Sequence, residues 1–184
     1  MVVTVIADIV GSRTLPDRGV AQRHIDEALA QVAADVPGAP QSLRPIVGDE
    51  LEGLYPRLED ALAATMLLRL ALPVEIDCRF GIGVGEVAAV ASTVGELSDG
   101  PGWWVARTAI QHVAALQRRA VPAARTWVAV DQAVEDVSAG VANAAALVRD
   151  QLIGQMSART RRLAYGRCIG RTQRELAESE QTTQ

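Results

Sequence analysis

Two carboxylates carry the clearest chemistry in this sequence: Asp8, after the strand-like run Val2 to Ala7, and Asp49, at the tip of Gly48-Asp49-Glu50. In a β-α-β-β chain order, the end of the first strand and the tip of the following hairpin can meet. Two carboxylates at one spot repel each other, and the usual compensation is a divalent cation or a raised pKa. The turn after Asp8, Ile9-Val10-Gly11-Ser12, leads towards a helix, so its amides can cradle phosphates that share the cation. The expected site therefore has Mg²⁺ or Mn²⁺ at Asp8 and Asp49, phosphate at Ile9, Gly11, Ser12 and Arg13, and a nucleotide as the ligand. The plainer account of the same residues is turn chemistry at Asp49-Glu50 and a helix cap at Asp8.

Trp103 and Trp104 are two of only three tryptophans, and as neighbours on a helix they cannot face the same way. One belongs to the core; the other either walls a nucleotide base or enters a subunit interface, where aromatics are enriched. His24 and His112 have no Cys, Ser or second His at ligand or triad spacing, so both read as surface or capping residues. Cys78 and Cys168 lie far apart and outside any C-x-x-C pair, which fits free thiols in a reducing compartment.

The elements that must position these residues follow from apolar spacing. Residues 2–7 read as a buried strand, and a helix capped by Asp17 carries Val20, Ile25, Leu29, Val32 and Val36 to Pro37-Gly38. Leu43 to Val47 and Leu51 to Tyr55 form a hairpin around Gly48-Asp49-Glu50, and a helix over 58–72 stops at Pro73. Glu75 to Val84 alternates as a half-buried strand and turns at Gly85-Glu86 into Val87 to Val90. The polar, Gly-rich stretch Ser92 to Gly102 leads into a helix over Trp103 to Arg119, and Thr126 to Val130 is the last strand. The fold class is α+β, an α/β sandwich with helices on one face of a mainly antiparallel sheet. C-terminal helices follow. A soft boundary divides a domain at 1–150 from a helical tail at 151–184.

Composition sets the limits. The longest apolar run, around Met66 to Leu72, is broken by Arg69 and falls far short of the ~18 apolar residues a membrane span needs. No basic leader precedes the first strand, so the expected location is cytoplasmic, away from membranes. The net charge of −4 divides unevenly, because residues 149–174 hold seven arginines against Asp150 alone. The chain has no lysine, so every cationic side chain is a permanently charged guanidinium fork and lysine-dependent mechanisms are excluded.

Asp8-Ile9-Val10-Gly11-Ser12, Gly48-Asp49-Glu50, Arg79 to Val87 and Gly100-Pro101-Gly102 before a helix resemble, in order, the class III nucleotidyl cyclase domain over roughly residues 2–130. The resemblance implies a ferredoxin-like, nucleotide cyclase-like sandwich, a two-metal site at Asp8 and Asp49 and a homodimer; the nucleotide pocket itself is expected at Glu50, Asp99, Trp103, Trp104 and Arg107. The family's base-reading lysine falls on Pro45, and its ribose-orienting asparagine and transition-state arginine fall on Trp104 and Thr108. Arg107 is one residue early, a rotation of ~100° on a helix. Losing these groups removes the electrostatic stabilisation that usually dominates catalysis, so binding without efficient cyclisation is expected.

Taken whole, the chain is most similar to the SatD family of bacterial proteins. The similarity rests on Ala7 to Arg13, Val47 to Leu54, Phe80 to Val87, Asp99 to Trp104 and Gly170 to Ala177. The tail resembles the first two helices of a sigma-factor-type helix-turn-helix, with Ser157 and Thr172 as N-caps and Arg171, Thr172, Gln173 and Arg174 as DNA-facing residues. The recognition helix would follow over Glu178 to Gln184, so DNA contact is expected to be weak here, or to need a longer chain. A basic helix packed on the acidic domain explains the tail equally well. The functional expectation is a non-catalytic nucleotide- and metal-binding regulator, transcriptional or stress-related, coupled to a DNA-binding tail. The alternatives are a metal-dependent nucleotidyl or phosphoryl transferase with a rearranged site, and a ligand-free dimerisation scaffold.

Overall fold

A computed structural model of the chain describes residues 2–92, 95–134 and 138–180. In chain order these form β1 (Val2–Ile9), a 3-10 turn (Ser12–Thr14), α1 (Arg18–Asp35), β2 (Gln41–Val47), β3 (Glu50–Tyr55), α2 (Leu58–Ala71) and β4 (Cys78–Gly85). β5 (Ala88–Ser92), β6 (Gly95–Asp99), α3 (Pro101–Arg119), β7 (Thr126–Val130), α4 (Ser138–Gln155), α5 (Ala158–Cys168) and α6 (Gln173–Ser179) follow. The main sheet runs β2-β3-β1-β4-β7; every pairing is antiparallel except β4 with β7. The first four strands and two helices thus have ferredoxin-like connectivity, and the α+β class with a mainly antiparallel sheet holds.

Residues of β1 alternate between two cores. Val3, Val5, Ala7 and Ile9 pack with α1, α2 and the even-numbered residues of β4, whereas Ile6 packs with Trp103, Ala106, Ile110 and Val113 of α3. Helices therefore cover both faces, not one. The cause is a glycine stripe: Gly81 and Gly83 of β4 leave α3 room to lie directly on the backbone. A methyl at Gly83 would sit inside contact distance of Gly102 O and 2.7 Å from both Ala106 N and Thr4 Oγ1. Buried Thr4 donates to Gly102 O at 2.8 Å and to Gly83 O at 3.2 Å, tying the start of α3 to the sheet.

The polar, Gly-rich stretch Ser92 to Gly102, in which no strand was expected, contains β6, which pairs with β5 as a separate two-stranded ribbon. Gly95-Glu96-Leu97-Ser98-Asp99 has too little apolar alternation to announce a strand.

α4 runs through the expected boundary at residue 150 and covers the outer edge of β7. Asn143 both accepts from Val128 N (2.7 Å) and donates to Val128 O (2.9 Å), while Asp150 accepts from Arg125 N (2.8 Å) and Thr126 N (2.7 Å). Two helical side chains thus occupy positions that a further strand would take. Asp150 also binds Arg69 of α2 at 3.0 Å, both side chains being almost fully buried. Arg69 and Arg125 share Asp77 at 2.9 and 2.7 Å.

The tail is anchored to the same body. Arg161 of α5 is buried and reaches the carbonyls of Arg69 (3.3 Å) and Leu72 (3.5 Å), at the C-terminal end of α2. Tyr165 donates to Asp35 at 2.6 Å. Both expected caps are present: Ser157 accepts from Thr160 N, and Thr172 forms a capping box with Glu175. Of the recognition-helix stretch Glu178 to Gln184, residues 181–184 lie outside those described.

Candidate functional site

Asp8 is not past the end of β1; it is the strand's penultimate residue. Strand alternation therefore places it, with Thr4 and Ile6, on the face that α3 covers. The register sets Asp8 opposite Glu50 and Ile6 opposite Glu52 on β3, and Asp8 opposite Arg79 on β4. Three carboxylates thus stand on adjacent strands of one face. Guanidinium forks compensate two of them: Arg79 grips Asp8 through Nε (2.8 Å) and Nη2 (2.9 Å), and Arg107 grips Glu50 at 2.5 and 2.7 Å. Both pairs are bidentate, the geometry in which an arginine–carboxylate contact is strongest.

Beside these pairs lies a cavity of about 400 Å³ lined by Ile6, Glu52, Ser98, Trp103, Trp104 and Arg107. The two tryptophans divide as their neighbouring positions require. Trp103 is buried and donates to Ser98 Oγ at 2.9 Å, whereas Trp104 is 61% exposed and its indole donates to Asp99 at 3.1 Å. Asp99 also accepts from Gly100 N at 2.7 Å, which fixes the start of α3. Burial raises the pKa of Glu52 and neighbouring Glu50 raises it further, against Arg107 and Arg44. A carboxyl with that bias is suited to a hydrogen-bonding partner inside the cavity rather than to bulk water.

Of the expected site residues, Trp103, Trp104 and Arg107 line this cavity, Glu50 joins it through Arg107, and Asp99 through Trp104. Asp8, Asp49, Ile9, Gly11, Ser12 and Arg13 do not line it. Ile9 is the last residue of β1, with its side chain in the opposite core. Gly11 has φ 69° and opens the 3-10 turn, whose Thr14 N–H returns to Gly11 O at 2.8 Å. Asp49 sits in the β2–β3 turn. Among the described residues no group of three or more His, Cys, Asp or Glu side chains gathers as a metal site. Both oxygens of Asp8 are held by Arg79, so a cation there must take over that compensation.

Sequence reasoning passed over Glu52, Ile6 and Ser98 in the cavity and Arg79 beside it. The signal for two of them was present: Glu50 and Glu52 are two apart on a strand, as are Ile6 and Asp8, so each pair shares a face. Arg171, Thr172, Gln173 and Arg174 lie exposed at the α5–α6 connection. No described helix is long and apolar enough to cross a membrane.

No curated protein matches the sequence. Among solved structures, a bacterial light-regulated adenylyl cyclase is similar at 11% identity and a TM-score of 0.47, over 65% of this chain and 71% of that one. The guanylyl cyclase Cya2 gives 15% and 0.41, over 60% and 69%. The adenylyl cyclase CyaB from P. aeruginosa gives 15% and 0.40, over 64% and 81%. The SatD family model matches residues 2–151, from the first residues of β1 to just past buried Asp150, and the chain belongs to the SatD family.

Proposed function

We propose that the domain is a nucleotide-binding regulator rather than an enzyme. The observation that carries this reading is the cavity walled by Trp103 and Trp104, with Glu52 and Arg107 at its polar side. An exposed indole offers a stacking face to a base, and base–aromatic stacking contributes about 1–3 kcal/mol. Glu52 can accept from ring or exocyclic N–H groups, and Arg107 and Arg79 can exchange their carboxylates for phosphate oxygens. In this reading Mg²⁺ or Mn²⁺ is held by Asp8 and Asp49 and supplies charge neutralisation for the phosphates. The cradle at Gly11, Ser12 and Arg13 belongs to the same proposal.

A role in catalysis is disfavoured by the residues that replace the cyclase machinery. Thr108 spends its hydroxyl on Trp104 O at 3.0 Å, Pro45 has no side-chain donor, and Arg107 faces Glu50. Coupling to DNA through the tail rests on the exposure of Arg171, Thr172, Gln173 and Arg174; phosphate contacts by these residues would be salt-sensitive and non-specific. The test is a tryptophan-fluorescence titration with ATP and GTP in the presence of Mg²⁺ or Mn²⁺. Saturable quenching that Trp104→Ala reduces at least ~tenfold in affinity is expected, since one stacking contact accounts for that factor. An undiminished response in Trp104→Ala would sink the proposed pocket.

A further inference from the structure

A second cavity, of about 310 Å³, lies on the other side of the molecule, where the tail meets the domain. Gln31 of α1 and Leu70 and Ala71 of α2 form the domain side; Arg162 and Tyr165 of α5, Arg171, and Leu176, Ser179 and Glu180 around α6 form the tail side. Among its lining residues two arginines, Arg162 and Arg171, stand against one carboxylate, Glu180. Arg162 grips Glu180 bidentately at 2.7 and 2.8 Å, and the Tyr165 hydroxyl is committed to Asp35. Arg171 forms no direct ion pair among the described residues, and its charge only adds to the Thr172 hydrogen bonds that hold Glu175 below the usual carboxylate range.

The position of Arg171 is also fixed. Its backbone N–H bonds to Gly166 O at 2.8 Å, its carbonyl accepts from Arg167 at 2.6 Å, and its Cδ lies over Gly166. Gly166 is needed for this arrangement, because a methyl there would run into Leu176. A guanidinium carried on a fixed backbone to the rim of a cavity with an apolar floor of Leu70, Ala71 and Leu176 is a recognition pattern in itself.

We propose that this cavity binds a small organic oxyanion, with its carboxylate or phosphate on Arg171 and the free Nη1 of Arg162 and its apolar body against Leu70 and Leu176. Because both walls contribute, an occupant bridges the domain and the tail, and its binding holds α5 and α6 to α1 and α2. This site is separate from the tryptophan pocket and does not depend on the nucleotide reading.

The test uses the full chain, labelled with ¹⁵N, titrated in parallel with benzoate and phenyl phosphate, and with benzamide as the neutral control. Saturable shifts of the Gly166, Arg171 and Leu176 amides with either anion, and none with benzamide, are expected; the stronger anion tells carboxylate from phosphate. Arg171→Gln should weaken binding about tenfold or more, the loss of a charge-assisted contact. Arg174→Gln, an exposed arginine outside the cavity, and Trp104→Ala, in the other pocket, should leave it unchanged. Absence of shifts with both anions at millimolar concentration, or equal affinity in Arg171→Gln, overturns the proposal.

Discussion

Asp150 is fully buried, yet it accepts from the Arg69 and Arg149 guanidiniums at 3.0 and 3.2 Å and from the backbone amides of Arg125 and Thr126. Substitution of Asp150 by Asn keeps the shape and leaves one oxygen for the two amides, but removes the negative charge and turns an NH₂ group towards guanidiniums that only donate. Removing one partner of a buried ion pair typically costs ~3–5 kcal/mol, because the other charge is left without compensation. Arg69 keeps Asp77 at 2.9 Å, so the loss is expected near the lower end, about 3 kcal/mol. Urea unfolding followed by far-ultraviolet circular dichroism reads this as a midpoint lowered by about 1–3 M, given m values of ~1–3 kcal/mol per M. Asp77, whose side chain is 22% exposed, should cost less when changed to Asn. A loss below about 1 kcal/mol for Asp150→Asn, or a larger loss for Asp77→Asn, would refute the view that the cluster is dry and that its charges depend on one another.

Burial raises the pKa of Asp77, but Arg69 and Arg125 outweigh it and hold the carboxyl below the usual range. A depressed folded-state pKa means stability present above the unfolded value of ~3.9 and lost as pH falls through the folded one. Acid titration of stability should therefore show a steep loss below about pH 4 that Asp77→Asn flattens. Gly83→Ala places a methyl against Gly102 O and should lift α3, costing several kcal/mol and shifting Trp103 emission to the red; native stability and emission would contradict the close approach of α3 to β4. On the proposed function, incubation with ATP or GTP and Mg²⁺ should yield no cyclic nucleotide; robust, Asp49-dependent product in a chromatographic time course would make the protein an enzyme.

The parts of the fold legible in the sequence are those fixed over short range. Asp17 before α1, Thr172 with Glu175 at α6, and the Gly48 hairpin each depend on residues a few positions apart, and each forms as its chemistry dictates. The placement of α3 was not legible, because a glycine reads as weak strand propensity until the register shows Gly81 and Gly83 stacked under a helix. Arg69 read only as a break in an apolar run; its partners Asp77 and Asp150 lie eight and 81 residues away. Asn143 and Asp150 act as a surrogate strand along β7, a role that has no local pattern at all. For the site, the sequence shows clustered carboxylates but not their pairing: Arg79 and Arg107 come from elsewhere on the chain to neutralise Asp8 and Glu50.

That compensation constrains how any ligand can enter. With no lysine, the face beneath α3 is balanced by rigid forks, each closed on a carboxylate through two hydrogen bonds. On the proposed function, a phosphate arriving alone would draw Arg79 away and strand Asp8; a cation arriving alone at Asp8 would displace Arg79 and strand it instead. Each event leaves a partly buried charge uncompensated, which is unfavourable. Arriving together, the phosphate would take Arg79 and the cation Asp8, and both charges would keep a partner. On the proposed function, metal and nucleotide therefore favour each other's binding, and by thermodynamic linkage each must raise the other's affinity by the same factor. On that proposal the ion pair seen between Asp8 and Arg79 would be the closed form of a charge-exchange site, one whose responsiveness comes from the pair's need for a joint replacement.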